Sequence, residues 1–244
     1  MLALILAGGL GKRLRSVVDD RPKPMAGVGG RPFLEYQLEF LKRYGINRLI
    51  LCVGYLYHQI EDYFGDGSRW DLRIDYAIDN KPLGTAGALK NARYFIDGTF
   101  LTLNGDTFFD INVSDLIEYH RSNHATDVSY LGSLALAKVD NVRSYGSVQL
   151  DPNNYIASFV EKKEAGSNHN TGSNLVNAGI YVLEPEIMDF IQEDRKVSLE
   201  METFPAVLEN GNSLGGYQAE GLFIDIGTPE GYYKLRDYIT GRKI

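Results

Sequence analysis

The run Leu-Ala-Leu-Ile-Leu at positions 2–6 contains no polar residue. A strand built from it carries apolar side chains on both faces, so both faces must be covered. Sheets covered in this way are parallel ones, whose crossover connections lay helices above and below. The chain repeats the requirement. "RLILCVG" (48–54), "LRIDYAID" (72–79) and "TFLTLNGD" (99–106) read as further strands. Helical patterns separate them. "FLEYQLEFLKRYG" places Phe33, Leu34, Leu38 and Leu41 at helical spacing and stops at Gly45. "YHQIEDYFGDG" predicts a short helix with a glycine stop, and "TAGALKNARYFI" a helix capped by Thr85. This alternation predicts an α/β fold with a central, mixed but mostly parallel sheet and helices on both faces.

The second half is richer in strands. "DVSYLGSLAL", "YGSVQLD", "YIASFVEK", "LVNAGIYVLE" and "GLFIDIG" have extended character, with helices near Pro185–Gln192, Ser198–Leu208 and Pro229–Ile239. The small, polar "AGSNHNTGSN" (165–174) predicts a solvated loop beside a site. No repeat of 20–50 residues is present. With 244 residues, one domain is expected, with a first half over about 1–110 and a strand-rich half over about 111–244.

Composition narrows the partners. Lys and Arg total 25 against 32 Asp and Glu, a net charge of −7. That balance argues against a general nucleic-acid or anionic-membrane binder, which needs broad basic surface. No apolar run approaches the roughly 18 residues of a membrane span, and no signal-peptide pattern opens the chain. Cys52, the single cysteine, sits in an apolar run and reads as a buried thiol, so a reducing, cytoplasmic setting is expected. A homodimer is the working expectation for assembly.

Strand one runs into "AGGLGKRLRSVVDDRPKPM" (7–25). The dinucleotide fingerprint fails, because its third glycine is replaced by Leu14. Walker A fails as well, since Lys12 is followed by Arg13 and Leu6 stands where the first glycine belongs. The physical content survives both failures. Gly8, Gly9 and Gly11 let the backbone approach a ligand and aim N–H groups at it. Arg13 and Lys23 supply the charge a triphosphate needs, and Pro22 and Pro24 restrict the backbone that carries Lys23.

Carboxylates stand where the fold would bring them to that loop. Asp106 follows a buried strand, and open α/β sheets bind ligands at the carboxyl ends of their strands. Asp225 is flanked by Ile224 and Ile226, so it should face away from them, and a buried carboxylate needs a cationic partner. Two carboxylates beside a polyphosphate suit Mg²⁺. Asp110 reads as a helix N-cap more readily than as a third ligand. Glu161 and Lys162 end a strand, and Asn177 and Gly179 lie in "NAGIY".

In order along the chain, "LILAGGLGKRL", "KPM", "PLGTAGAL", "NGD", "VEKK", "NAGIY" and "IDIGTPEGYY" resemble the motifs of sugar-1-phosphate nucleotidylyltransferases over nearly the whole length. Within them the chain looks most like the D-glycero-α-D-manno-heptose 1-phosphate guanylyltransferases, with mannose-1-phosphate guanylyltransferases and glucose-1-phosphate thymidylyltransferases as alternatives. The resemblance implies a Rossmann-like nucleotidyltransferase fold and transfer of a nucleotidyl group from an NTP, GTP first, to a sugar 1-phosphate. It implies that Leu6, Ala7 and Gly8 contact the base, and that Gly9 and Gly11 hold phosphates. Arg13 would grip the triphosphate and Lys23 would neutralise the reacting phosphate. Pro82, Leu83, Gly84 and Thr85 would line the base and ribose pocket. Asp106 and Asp225 would hold Mg²⁺, Gly146, Glu161 and Asn177 the sugar ring, and Lys162 the sugar phosphate. Lys12 departs from the Thr or Ser common in the family. A sugar phosphate is already ionised at pH 7, so the four scattered histidines are no obstacle. A catalytically silent nucleotide- or sugar-binding regulator is the alternative of another class.

Overall fold

In the computed structural model, which describes residues 1–9, 20–140, 147–160, 174–193 and 195–241, β1 (Leu2–Leu6) buries both faces as its composition demands. Ala3 and Ile5 enter one apolar core, Leu2 and Leu4 the core on the opposite face. β1 pairs in parallel with β4 (Arg48–Val53) on one side and β6 (Phe100–Asn104) on the other, and β4 pairs in parallel with β5 (Arg73–Ile78). This parallel half has the order β5-β4-β1-β6. On one face pack α1 (Phe33–Arg43), α2 (Tyr57–Phe64) and α4 (Val113–His124), through Leu34, Leu38, Ile60, Phe64, Val113 and Leu116. On the other pack α3 (Gly84–Asn91) and α5 (Phe204–Glu209), through Ala86, Leu89, Phe204 and Val207.

The sheet continues into the second half with a change of direction. β11 (Leu175–Leu183) runs antiparallel to β6, to β8 (Tyr130–Lys138) and to β9 (Ser147–Leu150). β10 (Ile156–Val160) extends it beyond β9, and β12 (Ser213–Ala219) lies parallel to β8, giving nine strands among the described residues. β11 carries a bulge. Asn177 faces Leu136 and Tyr181 faces Leu134, so four steps on β11 answer two on β8. Two extra residues preserve the alternation of faces, and Ile180 and Val182 stay in the core that holds Val176 and Ala178. The bulge turns through Gly179 at φ +69°, a conformation that favours glycine.

Two small ribbons flank the sheet, β2 (Gly27–Val28) with β3 (Arg31–Pro32), and β7 (Thr107–Phe109) with β13 (Phe223–Asp225). α6 (Pro229–Ile239) closes over both, with Leu235 meeting Val28, Phe33, Ile224 and Ile226. α6 has the span expected for it. Several sequence expectations need correction. The 185–190 segment is a 3-10 helix, and the expected helix over 198–208 begins as a π-helical turn, Leu199–Thr203, before α5. Thr85 is not the cap of α3, whose N-cap is Leu83. Asp110 caps nothing either, because Asn112 accepts from the Ser114 N–H at the start of α4.

One buried polar cluster stabilises the strand-rich half. The Nε2 of His120 lies 2.8 Å from Glu184 Oε1, which also accepts from Thr99 Oγ1 at 2.8 Å. Burial holds the imidazole below its ordinary pKa, so it is neutral and donates to the carboxylate. Glu184→Ala would strand the donors of His120 and Thr99 away from water. It is expected to cost about 3 kcal/mol, read as a lower urea midpoint at unchanged slope.

Candidate active site

The carboxyl edge of the parallel strands is where the chain turns glycine-rich and charged. Three of the four parallel strands, β1, β5 and β6, are extended past their formal ends by one backbone bond: Ala7 N–H donates to Cys52 O (2.8 Å), Asp79 N–H to Val53 O (2.7 Å) and Gly105 N–H to Leu6 O (3.0 Å). These bonds draw Ala7–Gly9, Asp79 and Gly105–Asp106 to one rim. The cavity there, of about 590 Å³, is large enough for a nucleotide. Leu6, Ala7, Gly8, Gly9, Lys23, Pro82, Leu83, Gly84, Thr85, Asp106, Asn177 and Asp225 all line it, so most of the residues singled out in the sequence converge. Gly11, Arg13, Gly146, Glu161 and Lys162 lie outside the described residues. Asp110 lies elsewhere, 3.8 Å from Arg43.

Lys23 is placed by its prolines. Pro22 takes an extended conformation, and Lys23–Met25 forms a single 3-10 turn closed by the Ala26 N–H donating to Lys23 O at 3.0 Å. The side chain, only 9% exposed, lies across the cavity floor and donates to Asp106 Oδ2 at 2.5 Å. Asp225 arrives by strand pairing, as β13 sets it opposite Thr107, the residue after Asp106. The Ile226 N–H donates to Asp106 O at 3.0 Å, and the Gly227 N–H to Asp225 Oδ1 at 2.6 Å. Ile224 and Ile226 are buried beneath α6, so the alternation expected around Asp225 holds. Among the described residues no group of three or more His, Cys, Asp or Glu side chains could hold a metal. Two carboxylates, Asp106 in the turn before β7 and Asp225 at the end of β13, nonetheless suit a hard divalent cation, which takes one or two carboxylates and completes its shell with phosphate oxygens and water.

The opposite wall is the start of α3. Gly84 adopts φ +76°, and a Cβ there would stand 2.3 Å from Val197 O. That carbonyl accepts from Ala86 N–H at 3.1 Å, so the helix is capped by the 195–198 segment rather than by a side chain of its own. Thr85 instead donates its hydroxyl to Glu200 Oε2 (2.9 Å) and accepts from Leu199 N–H (2.8 Å).

Three residues of this region were not singled out in the sequence. Lys196 lines the cavity, but it reads as an exposed charge before a polar turn. Glu200 was hidden in a pattern taken for regular helix. Asp79 ends a strand and looks like a turn residue. In the fold its carboxylate lies against Gly8, whose added Cβ would stand 3.4 Å from Asp79 Oδ2. Burial pushes the Asp79 pKa up to about 6, against the opposing donation from Asn91 Nδ2 to Oδ1 at 3.0 Å.

A mixed, mostly parallel α/β sheet whose parallel strands carry at their carboxyl rim a glycine-walled cleft with a largely buried lysine and two aspartates defines the class of protein. The chain belongs to the nucleotidyl transferase family, whose pattern matches residues 2–241. It is similar to the D-glycero-α-D-manno-heptose 1-phosphate guanylyltransferase of Campylobacter jejuni, at 39% identity over 96% of this chain and 97% of that one. It is 37% identical to the mannose-1-phosphate guanylyltransferase of Mycobacterium tuberculosis over 95% of this chain, which spans 62% of that longer protein. Among solved structures, HddC from Yersinia pseudotuberculosis complexed with GMP-PN matches with a TM-score of 0.81 and 34% identity, covering 98% of this chain and 99% of that one. Among the described residues no helix is long and apolar enough to cross a membrane.

Proposed function

We propose that the protein transfers the guanylyl group of GTP to D-glycero-α-D-manno-heptose 1-phosphate, releasing pyrophosphate. The observation that carries the reaction class is the convergence of Lys23, Asp106 and Asp225 on one cavity with the glycine backbone of residues 8–9. An ionised oxygen of the sugar phosphate attacks the α-phosphorus. The bond from that phosphorus to the bridging oxygen of pyrophosphate breaks, and pyrophosphate leaves with the electron pair. No proton has to be removed, so the protein's part is alignment and charge neutralisation. Lys23 neutralises charge at the reacting phosphate, with its ammonium held in place by Asp106. Arg13 takes the leaving pyrophosphate, a role that rests on the sequence motif. Asp106 and Asp225 would hold Mg²⁺, which when bound screens the phosphate oxygens. Asn177 faces the sugar. The supply of GTP puts the reaction in the cytoplasm.

The choice of guanine is supported by Asp79. A carboxylate only accepts hydrogen bonds, and it can take two from adjacent donors at once. Guanine alone among the common bases offers such a pair, N1–H beside N2–H. Uracil and thymine would turn a carbonyl oxygen toward the carboxylate, leaving charge unpaired in a half-buried slot. The relatives named as guanylyltransferases agree with this reading.

Two measurements test it. Pyrophosphate release is assayed for GTP, ATP, CTP, UTP and dTTP, each with heptose, mannose and glucose 1-phosphates. GTP with the heptose 1-phosphate is expected to give the highest kcat/KM; the highest value for dTTP with glucose 1-phosphate would overturn the assignment. Second, Asp79→Asn is expected to lose about 10²-fold in kcat/KM for GTP. In the wild type, KM for GTP should rise as pH falls below about 6, where the carboxyl takes up its proton. The stability effect has the opposite sense. The folded pKa of Asp79 lies above its ordinary value of 3.8, so folding takes up a proton between those values and stability falls as pH rises through that window. Asp79→Asn should therefore be no less stable than wild type at pH 8, a site residue costing the fold what it gives to function.

A further inference from the structure

Glu200 does not line the cavity, yet it touches residues from both of its ends. Its Oε2 accepts from Thr85 Oγ1 at 2.9 Å and Ser198 Oγ at 2.8 Å, and its Oε1 from Tyr181 OH at 3.1 Å and Asn104 Nδ2 at 3.4 Å. The chain of bonds goes on. Tyr181 OH accepts from Asn177 Nδ2 at 2.9 Å, and Asn177 Oδ1 accepts from Gly179 N–H at 2.9 Å. Thr85 stands at the nucleotide wall and Asn177 on the β11 bulge, so one carboxylate ties the two subsites together from beneath.

The direction of each bond is fixed by chemistry. The Tyr181 ring is fully buried, and burial followed by the charge of Glu200 holds its hydroxyl well above its ordinary pKa. The phenol therefore keeps its proton. An ionised carboxylate only accepts, so that proton points to Glu200, and the remaining lone pairs of the phenol face the Asn177 amide. The amide oxygen of Asn177 is then committed to the bulge. A shift of Asn177 toward a sugar hydroxyl must pull on Tyr181, and through it on Glu200 and Thr85. Glu200 also sits on a π-helical turn, an irregularity that sets its carboxylate between α3 and β11 where a regular turn would carry it elsewhere.

We propose that Glu200 is a positioning residue that couples the sugar 1-phosphate and nucleotide subsites, so that occupation of one pre-orders the other. This rests on the functional reading above for which ligand occupies which end. The first ligand draws on its end of the hydrogen-bonded Thr85–Glu200–Tyr181–Asn177 unit and fixes the other end in place, so the second binds more tightly, with no contact between Glu200 and either substrate. By linkage the effect is the same in either order.

The test is a binding measurement, so it does not depend on turnover. The affinity for the α,β-methylene analogue of GTP, whose α-phosphorus cannot be released from the β-phosphorus, is measured by titration calorimetry, with and without saturating D-glycero-α-D-manno-heptose 1-phosphate. Wild type is expected to bind the analogue about tenfold more tightly when the sugar phosphate is present, within the usual range of such couplings. Glu200→Gln and Tyr181→Phe are each expected to bring that factor to within about twofold of unity. Tyr181→Phe keeps the buried ring and removes only the bridging hydroxyl, so it serves if Glu200→Gln does not fold. A role confined to stability would lower Tm and leave the factor untouched, and that result overturns the proposal. So does a wild-type factor of one. Wild-type turnover assayed alongside separates the two readings: guanylyl transfer by a wild type whose binding is uncoupled sinks only the coupling, whereas no transfer by the wild type with any substrate pair sinks the functional assignment.

Discussion

Asp106→Asn and Asp225→Asn are each expected to lower kcat/KM by about 10³-fold, near 4 kcal/mol of transition-state stabilisation, while leaving the fold intact. The fold should survive because the backbone bonds that place these residues do not need the charge. Ile226 N–H donates to the main-chain oxygen of Asp106, and an asparagine oxygen can accept from Gly227 N–H as Asp225 Oδ1 does. What the amide lacks is the negative charge a hard cation requires. Pyrophosphate release across a Mg²⁺ titration, with circular dichroism as a check on folding, measures the effect. A variant that keeps near-wild-type rates at limiting Mg²⁺ would remove its residue from the proposed metal pair.

Lys23→Met should have the next largest effect, about 10²-fold or more in kcat/KM. Methionine keeps the buried stem and loses only the ammonium, so the 3-10 turn at Lys23–Met25 and its Ala26 closure remain. Two things are lost together: the cation proposed for the reacting phosphate and the partner of Asp106. The stability cost should be small, about 1 kcal/mol, because Asp106 keeps 34% of its side chain in solvent. The discriminating quantity is kcat. A change confined to KM for GTP would mean that Lys23 binds ground state and transition state alike.

Much of this arrangement is legible in the sequence, and the reason is local. β1, β4 and β6 announce themselves because a strand buried on both faces can have almost no polar residue. Asp225 is legible because Ile224 and Ile226 must both face the core, and alternation leaves the residue between them no other direction. Lys23 is legible because two prolines remove its backbone freedom. β12 escaped notice because its Gly215 and Gly216 look like a turn. They are tolerated within the sheet because Tyr130 and Leu150 pack closely over them. The π-helical turn at Leu199–Thr203 escaped for a related reason, since its apolar spacing is that of a helix and only its packing against α3 sets the pitch.

The sequence by itself determined the parallel half of the sheet, the helices α1, α2 and α3 between its strands, the glycine-rich first loop and the charged residues at strand ends, because each follows from patterns spanning a few neighbours; α4 (Val113–His124) is not among them. The tertiary structure alone decided which distant residues share a cavity. Asp79 acquires a raised pKa only when folding lays it against Gly8 under partial burial. Thr85 loses its expected capping role only because Val197 O reaches the start of α3 first. Glu200 gains its four partners from segments near residues 85, 104, 181 and 198. Burial and hydrogen-bond partnership are properties of space rather than of spacing, so no local pattern in the chain encodes them.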